Sequence, residues 1–435
     1  MPPKFHENAI VLSGETGTKL KSDILGLYYP FWWGIASGGR THGHPKNTTI
    51  IDLNAATGKV YIEETGEEIP GSAGHALQLK LDKVGTERLK VILVEEKVEC
   101  FSLLKNVIRE RWPKFPTDQA EGPIDGNLTQ VYLLNKDLAE TLNIVDTIDN
   151  RSKLGLAIFL FDPLRSIAWD TVQKVAARRI ATFYKIGTEF IIFLFTSDFF
   201  LGRDEFAPLP NTNDSNKWSP AESDSVNKTD SVFPNRAWQH ELLTNKPLEV
   251  REDRLVNLYK LSLHGWFRYV LPLPFRPKKE QIYHLFFCSN FETGIRATRS
   301  FYAKKAMNPG LTLSNADAYK KFQQQHPETA KGLVPPRKPL EFKILWKVIK
   351  EHEEGYCDVY CQDLMKVDQS FERRRTALDW LHDKGYLNRV HYNDVWGKHP
   401  PTYLLDWQLV EERVGVSAPP PLTPLSPSSE QKILS

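Results

Sequence analysis

The sequence predicts an α/β fold, a mainly parallel, doubly wound sheet closed by an antiparallel hairpin, followed by a small α+β module. Three observations predict it. Four runs rich in β-branched and large apolar residues, near 48–52, 89–94, 156–161 and 189–195, alternate with segments of helical spacing. Three of those runs have a carboxylate at their carboxyl end, Asp52, Glu95 and Asp162. Two further apolar runs, 267–273 and 282–290, are separated by a short polar turn, the pattern of an antiparallel pair.

Composition narrows the function classes. A chain of 435 residues has room for two or three domains and a large core. Lys and Arg number 56 against 54 acidic residues, so no global charge drives it toward nucleic acid or a membrane, and any basic surface must be local. The four cysteines, Cys100, Cys288, Cys357 and Cys361, are few and scattered. They suit a reducing compartment and offer no second ligand pair at zinc-finger spacing, so no metal site is expected. The most apolar stretch, Phe190 to Phe195, is far too short to span a bilayer. A soluble, cytoplasmic protein without a membrane partner is the expectation.

In chain order, Leu20, Ile24, Leu27 and Phe31 follow helical spacing and predict a helix lying over the sheet. Thr48 to Asp52 then predicts a buried strand that feeds a turn of small residues, Asn54, Ala55, Ala56, Thr57 and Gly58. Such a turn suits close approach of a nucleotide-like ligand, because a backbone poor in side chains leaves room for it. An acidic loop through Glu63, Glu64, Glu67 and Glu68 follows, and Ser72 is placed to begin a new helix. The second strand, Leu89 to Val94, ends in Glu95 and Glu96, where doubly wound folds place the acid that accepts ribose hydroxyls. Gln130 to Leu134 is a third strand, and Leu156 to Phe161 a fourth that ends in Asp162-Pro163. A helix over 169–180 leads to the fifth strand, 189–195. Residues 206–235, rich in Pro, Asn, Ser and Asp, read as a mobile surface insertion, and a helix near 254–264 resumes the fold before the hairpin.

A mainly parallel sheet that closes with an antiparallel hairpin is the layout of Rossmann-like class I S-adenosylmethionine-dependent methyltransferases. Several segments, in consistent order over residues 16–307, carry a closer resemblance. They are Lys19-Leu20-Lys21-Ser22-Asp23-Ile24-Leu25, Ile51 to Gly58, Gly71-Ser72-Ala73, Val94-Glu95-Glu96, Phe161-Asp162-Pro163, Thr188 to Ile192 and Tyr283 to Asn290. On these the chain resembles the three-Cys-motif partner proteins, a bacterial and phage family. The resemblance implies S-adenosylmethionine as cofactor, with Asp52, Asn54, Ala56, Gly58 and Glu95 or Glu96 around it. It also implies Asp162 and Pro163 beside the transferred methyl group, and a companion protein encoded nearby. Where the family pattern resembles Asp-x-Phe-Ala-Gly-Pro-Gly, this chain carries Asn54, Ala56 and Thr57. Ala56 can take the place of that pattern's glycine only if its backbone keeps a negative φ, since a Cβ in the left-handed region costs about 1 kcal/mol or more. Asp162-Pro163-Leu164-Arg165 also lacks the second proline and the aromatic of exocyclic-amine methyltransferases.

A polar stretch with Pro335-Pro336 predicts a linker over 308–340, and 341–410 then reads as three helices and a β-hairpin, resembling a winged helix. Arg373, Arg374 and Arg375 fall early on its third helix, with Lys398 at the hairpin tip, as candidate DNA or RNA contacts. The last residues, 411–435, are Pro/Ser-rich and read as a disordered tail. Two functional readings follow. One is a methyltransferase acting on nucleic acid. The other is a nucleic-acid-binding or assembly subunit that keeps the scaffold without the chemistry.

Overall fold

A computed structural model describes residues 12–14, 16–38, 48–62, 66–82, 88–111, 122–123, 131–137, 140, 154–162, 167–180, 187–201, 207–278, 281–291, 293–295, 297–298 and 301–302. In the C-terminal part it describes 340, 344–345, 347–348, 359–360, 364, 367–368, 371–383, 385–390, 393–394, 397–398 and 402–405. The chain divides into two compact units, one reaching Ile295 and the other beginning at Arg296, against an expected boundary at 307.

The first unit runs β1 (Leu12–Gly14), α1 (Thr16–Gly38), β2 (Thr48–Asp52), β3 (Lys59–Ile62), β4 (Glu67–Pro70), α2 (Ser72–Asp82), β5 (Leu89–Val94), α3 (Val98–Arg111), β6 (Gly122–Pro123), β7 (Val131–Leu134) and β8 (Leu156–Phe161). It continues through α4 (Trp169–Ile180), β9 (Thr188–Leu194), α5 (Thr196–Leu201), α6 (Pro220–Asp230), α7 (Trp238–Leu242), α8 (Leu248–His264), β10 (Tyr269–Lys278) and β11 (Gln281–Ser289). The main sheet has the order β10-β11-β9-β8-β2-β5-β7-β6. β2 pairs parallel with both β5 and β8, while β11 runs antiparallel to β9 and to β10. Leaving out the short antiparallel edge strand β6, this is the class I methyltransferase arrangement. The chain builds outward from a central strand, crosses over, builds the other half, and slips its last strand between the two before it.

Burial explains the continuous apolar runs. Every residue of β2, β5 and β9 is buried, because helices cover both faces of a parallel sheet. One large cluster joins Ile51, Ile92, Phe159, Phe190 and Phe286 from the sheet to Val172 of α4 and Tyr259 of α8. α1 buries Ile24, Leu25, Tyr28, Tyr29 and Trp32. A polar tie fixes it: Tyr28 donates its hydroxyl hydrogen to Glu189 Oε2 of β9, and Ser289 of β11 donates to Glu189 Oε1 at 2.9 Å. All three side chains lie out of solvent, and burial pushes the Glu189 carboxyl up to about 7 against those two hydrogen bonds.

Two expectations are corrected here. The acidic loop after β2 contains an antiparallel hairpin, β3–β4, whose β3 also pairs parallel with β1. Nor does 207–235 form a mobile insertion: Leu209, Val226, Val232 and Phe233 belong to the main core. Its helix α6 begins at a capping box, Ser219 with Glu222, followed by a proline in the first turn. Buried Arg251 of α8 donates to the backbone carbonyls of Leu209 and Pro210, and Thr229 and Ser231 of the segment bond its own carbonyls at Ser225 and Lys228, so its backbone is ordered by polar partners.

In the second unit, β12 (Val359–Tyr360), α9 (Phe371–Asp383), β13 (Leu387–Val390), β14 (Asn393–Asp394), β15 (Gly397–Lys398) and β16 (Thr402–Leu405) are described. β12, β16 and β13 form an antiparallel sheet in that order, and β14–β15 a small hairpin. α9 stops as expected at Gly385, whose φ of 81° no β-carbon residue adopts cheaply. Leu345, Val348, Leu378, Leu381 and Leu387 make the core. The expected linker is almost wholly outside the described residues, and the expected tail wholly so.

Candidate functional site

Parallel register places the candidate acids together. Asp52 aligns with Leu93 on one side and Leu160 on the other, so Glu95 and Asp162 each lie two residues past the partner of Asp52. β2 lies where the sheet order reverses, and the crevice outside the carboxyl ends of such strands is where open α/β sheets hold ligands. The chain leaves β2 under tight control: Leu53 N–H donates to Leu160 O at 3.1 Å and Ala55 N–H to Val94 O at 2.8 Å.

The turn departs from the expectation for Ala56. Its φ is 49°, within the left-handed region that favours glycine, with a Cβ in place. Glu95 holds it there. Ala56 N–H donates to Glu95 Oε2 at 2.8 Å, Lys97 N–H donates to Oε1 at 2.9 Å, and Asn135 Nδ2 grips the Glu95 carbonyl at 2.7 Å. Gly58 follows at φ 77°, its carbonyl receiving Gly71 N–H at 2.9 Å. A Cβ on Gly58 would meet Leu104 of α3 at 2.9 Å, and one on Gly74 would meet the Gly58 carbonyl oxygen at 2.3 Å, so α2 packs directly on the turn.

Charge is concentrated on the same side. Asp52 is fully buried, and burial together with nearby Asp162 pushes its carboxyl up to about 7, against the opposing pull of Ser72, the Asn54 N–H and Lys21. Asp52 Oδ1 accepts the Asn54 N–H at 3.1 Å. Among the described residues, Asp52 Oδ2, Asn54 Oδ1 and the Tyr29 hydroxyl are buried with no hydrogen-bond partner. Orphaned buried polar atoms are rare, and two unfilled acceptors on residues two apart in one turn mark a place for a donor. Lys21 of α1 pairs with Asp162 Oδ2 at 2.5 Å, its Nζ lying 4.7 Å from the centre of the Phe193 ring. Burial also raises the Glu95 carboxyl, opposed by the N–H groups of Lys97 and Ala56.

The structure thus brings together Asp52, Asn54, Ala56, Gly58, Glu95 and Asp162. Of the two neighbouring glutamates it turns Glu95 onto the turn, whereas Glu96 is exposed. Pro163 lies outside the described residues. Lys21, Tyr29 and Asn135 were not anticipated. Lys21 stood in the resemblance as part of a helical motif, and nothing local marks a lysine whose partner comes 141 residues later.

The arginine cluster of α9 is corrected in part. Arg374 is only 2% exposed and donates to the carbonyl of Asp368, which makes it a structural residue of its unit and not a nucleic-acid contact. Arg373 and Arg375 remain 60% and 62% exposed, in loose ion pairs with Asp368 and Asp379. Among the described residues no group of three or more His, Cys, Asp or Glu is placed to hold a metal ion, and no helix is long and apolar enough to cross a membrane.

No family model matches the chain, and no curated protein is similar to it. Among solved structures it is similar to Trm1 from Pyrococcus horikoshii, in complex with S-adenosyl-L-methionine, at 11% identity and a TM-score of 0.35. That match covers 68% of this chain but 61% of Trm1, so this chain spans about three fifths of its length. A Legionella pneumophila protein follows at 10% identity and TM-score 0.31, covering 63% of this chain and 89% of that one. Geranyl diphosphate methyltransferase, in complex with GPP and sinefungin, is at 10% and 0.21, covering 60% and 78%. At such values the strand order of the sheet, and not any one neighbour, carries the fold assignment.

Proposed function

We propose that the chain is an S-adenosylmethionine-dependent methyltransferase acting on nucleic acid, with a companion protein as the resemblance to three-Cys-motif partner proteins implies. The observation that carries this is the pair of orphaned acceptors, Asp52 Oδ2 and Asn54 Oδ1, next to a left-handed turn whose backbone is tied to Glu95. The donor set fits the cofactor. An α-ammonium group would satisfy Asp52 and Asn54, and ribose hydroxyls would donate to the free lone pairs of Glu95. Ala56 and Gly58 would line the methionine end, where small side chains leave room.

Bound S-adenosylmethionine supplies a methyl group already activated by the sulfonium, so positioning is most of what the protein must provide. Asp162, next to Asp52 across the switch point, would accept a hydrogen bond from the target amine and orient it. Glu95 would gain donors on binding and shift toward its ionised form. In the second unit, exposed Arg373 and Arg375 on a helix beside a three-stranded antiparallel sheet support a winged-helix role in gripping phosphates, with Lys398 on the hairpin strand β15.

Titration calorimetry with S-adenosylmethionine tests the cofactor. Wild type should bind, and Asp52→Ala and Glu95→Ala should each weaken binding about tenfold or more, the loss expected for a charged hydrogen bond. A wild-type protein that binds none would overturn the methyltransferase reading and leave the scaffold subunit. For nucleic acid, the double variant Arg373→Glu, Arg375→Glu should flatten the salt dependence of DNA or RNA affinity by about two phosphate contacts.

A further inference from the structure

The ion pair between Lys21 and Asp162 has the composition of an amine-acceptor site. A primary amine nitrogen sits 2.5 Å from a carboxylate oxygen and 4.7 Å from the centre of an aromatic ring, at the carboxyl end of the sheet. Strand register sets Asp162 two residues past Leu160, the partner of Asp52 on the neighbouring strand, so the ion pair lies at the same end of the sheet as the proposed cofactor seat. The two side chains keep only 20% and 13% of their surface, so the pair is largely withdrawn from water without being sealed from it. An ordinary helix-anchoring salt bridge has no need of this location, and exposed pairs such as Lys174–Asp170 show the commoner kind.

We propose that Lys21 Nζ is a self-methylation site, methylated within the same molecule by S-adenosylmethionine bound at the Asp52–Glu95 crevice. The inference rests on the cofactor reading above and not on the nature of any external substrate. Asp162 takes one proton from the Nζ ammonium as the N–H bond breaks. The freed lone pair forms a bond to the methyl carbon while the carbon–sulfur bond breaks, its electrons returning to sulfur. The products are a methylammonium on Lys21 and S-adenosylhomocysteine, and the proton passes from Asp162 to water. The Phe193 ring faces the nitrogen, and a π face favours an ammonium and a methylated ammonium alike.

Full-length protein is analysed by intact mass and peptide mapping, both as purified and after incubation with methyl-deuterated S-adenosylmethionine. Methylation on Lys21 in either sample is expected. Its deuterium label should be absent in Lys21→Arg and unchanged in Lys19→Arg, whose lysine pairs instead with Glu67. Asp162→Asn should slow labelling about a hundredfold, the usual worth of a positioned base. Labelling should also proceed at a rate independent of protein concentration. An unmodified Lys21 in both samples, in protein shown by calorimetry to bind S-adenosylmethionine, would overturn the proposal and leave the cofactor reading standing. Absence of binding would remove both. Label that persists in Lys21→Arg would place the acceptor elsewhere and overturn it too.

Discussion

Replacing Glu189 by glutamine should abolish a loss of stability that accompanies rising pH. Glu189 is fully buried beneath α1, and its carboxyl is raised from 4.5 to about 7, first by burial. In the unfolded chain it loses its proton near 4.5, so between about pH 4.5 and 7 the folded state holds a proton that the unfolded state has released. Stability from this group is therefore full below the unfolded value and is lost as pH rises through 7. A displacement of about 2.5 units at 1.36 kcal/mol each is worth about 3 kcal/mol in all, and about 2.5 kcal/mol of it disappears between pH 5 and pH 8. Glutamine keeps the shape and can still bond the Tyr28 and Ser289 hydroxyls, but has no charge to bury. Urea unfolding of wild type and Glu189→Gln at pH 5, 6, 7 and 8 measures the difference. The variant should gain on wild type by about 2.5 kcal/mol across that span. Two parallel pH curves, or a variant that loses ground as pH rises, would refute the reasoning, since both would mean an ionised carboxylate that its two hydroxyl donors fully satisfy.

Other outcomes follow from the turn and from the second unit. Ala56→Gly should raise stability by up to about 1 kcal/mol, because relief of the left-handed Cβ strain outweighs the added backbone freedom, and this is readable in the same unfolding assay. Gly58→Ala should lower it by about 2 kcal/mol or more, since a positive φ and a 2.9 Å approach to Leu104 act together. Arg374→Ala should destabilise the second unit by about 2 kcal/mol, seen as a lower melting temperature. Arg373→Ala should leave melting within about 0.5 kcal/mol of wild type.

Much of the sheet was legible because buried parallel strands advertise themselves. Thr48 to Ile51 and Leu156 to Phe161 are buried on both faces, and the acids that end them lie at the same end of the sheet because the strands are parallel. Glu95 was legible on the same logic. The failures share a cause: local composition does not disclose a distant partner. The 206–235 segment looks unfoldable until Arg251 supplies donors for its carbonyls, although Ser219-Pro220-Ala221-Glu222 did spell a helix start. Ala56 was expected at negative φ because intrinsic preference was weighed without Glu95, which takes its N–H from the next strand. Arg374, between two exposed arginines, differs from them only in the face of α9 it occupies.

The tie between α1 and the sheet also bears on how the chain is made. Tyr28 waits for a partner 161 residues downstream, and the strand β11 that completes the tie comes later still. At a synthesis rate of about 5 to 20 residues per second, the helix emerges from the ribosome about 10 to 30 s before Glu189 does. Throughout that interval α2 and the β3–β4 hairpin can pack on this helix, but the side of Tyr28 that meets β9 and β11 has no partner. A truncated chain ending before β9 should therefore leave that side of the helix exposed and aggregate more readily than the full chain.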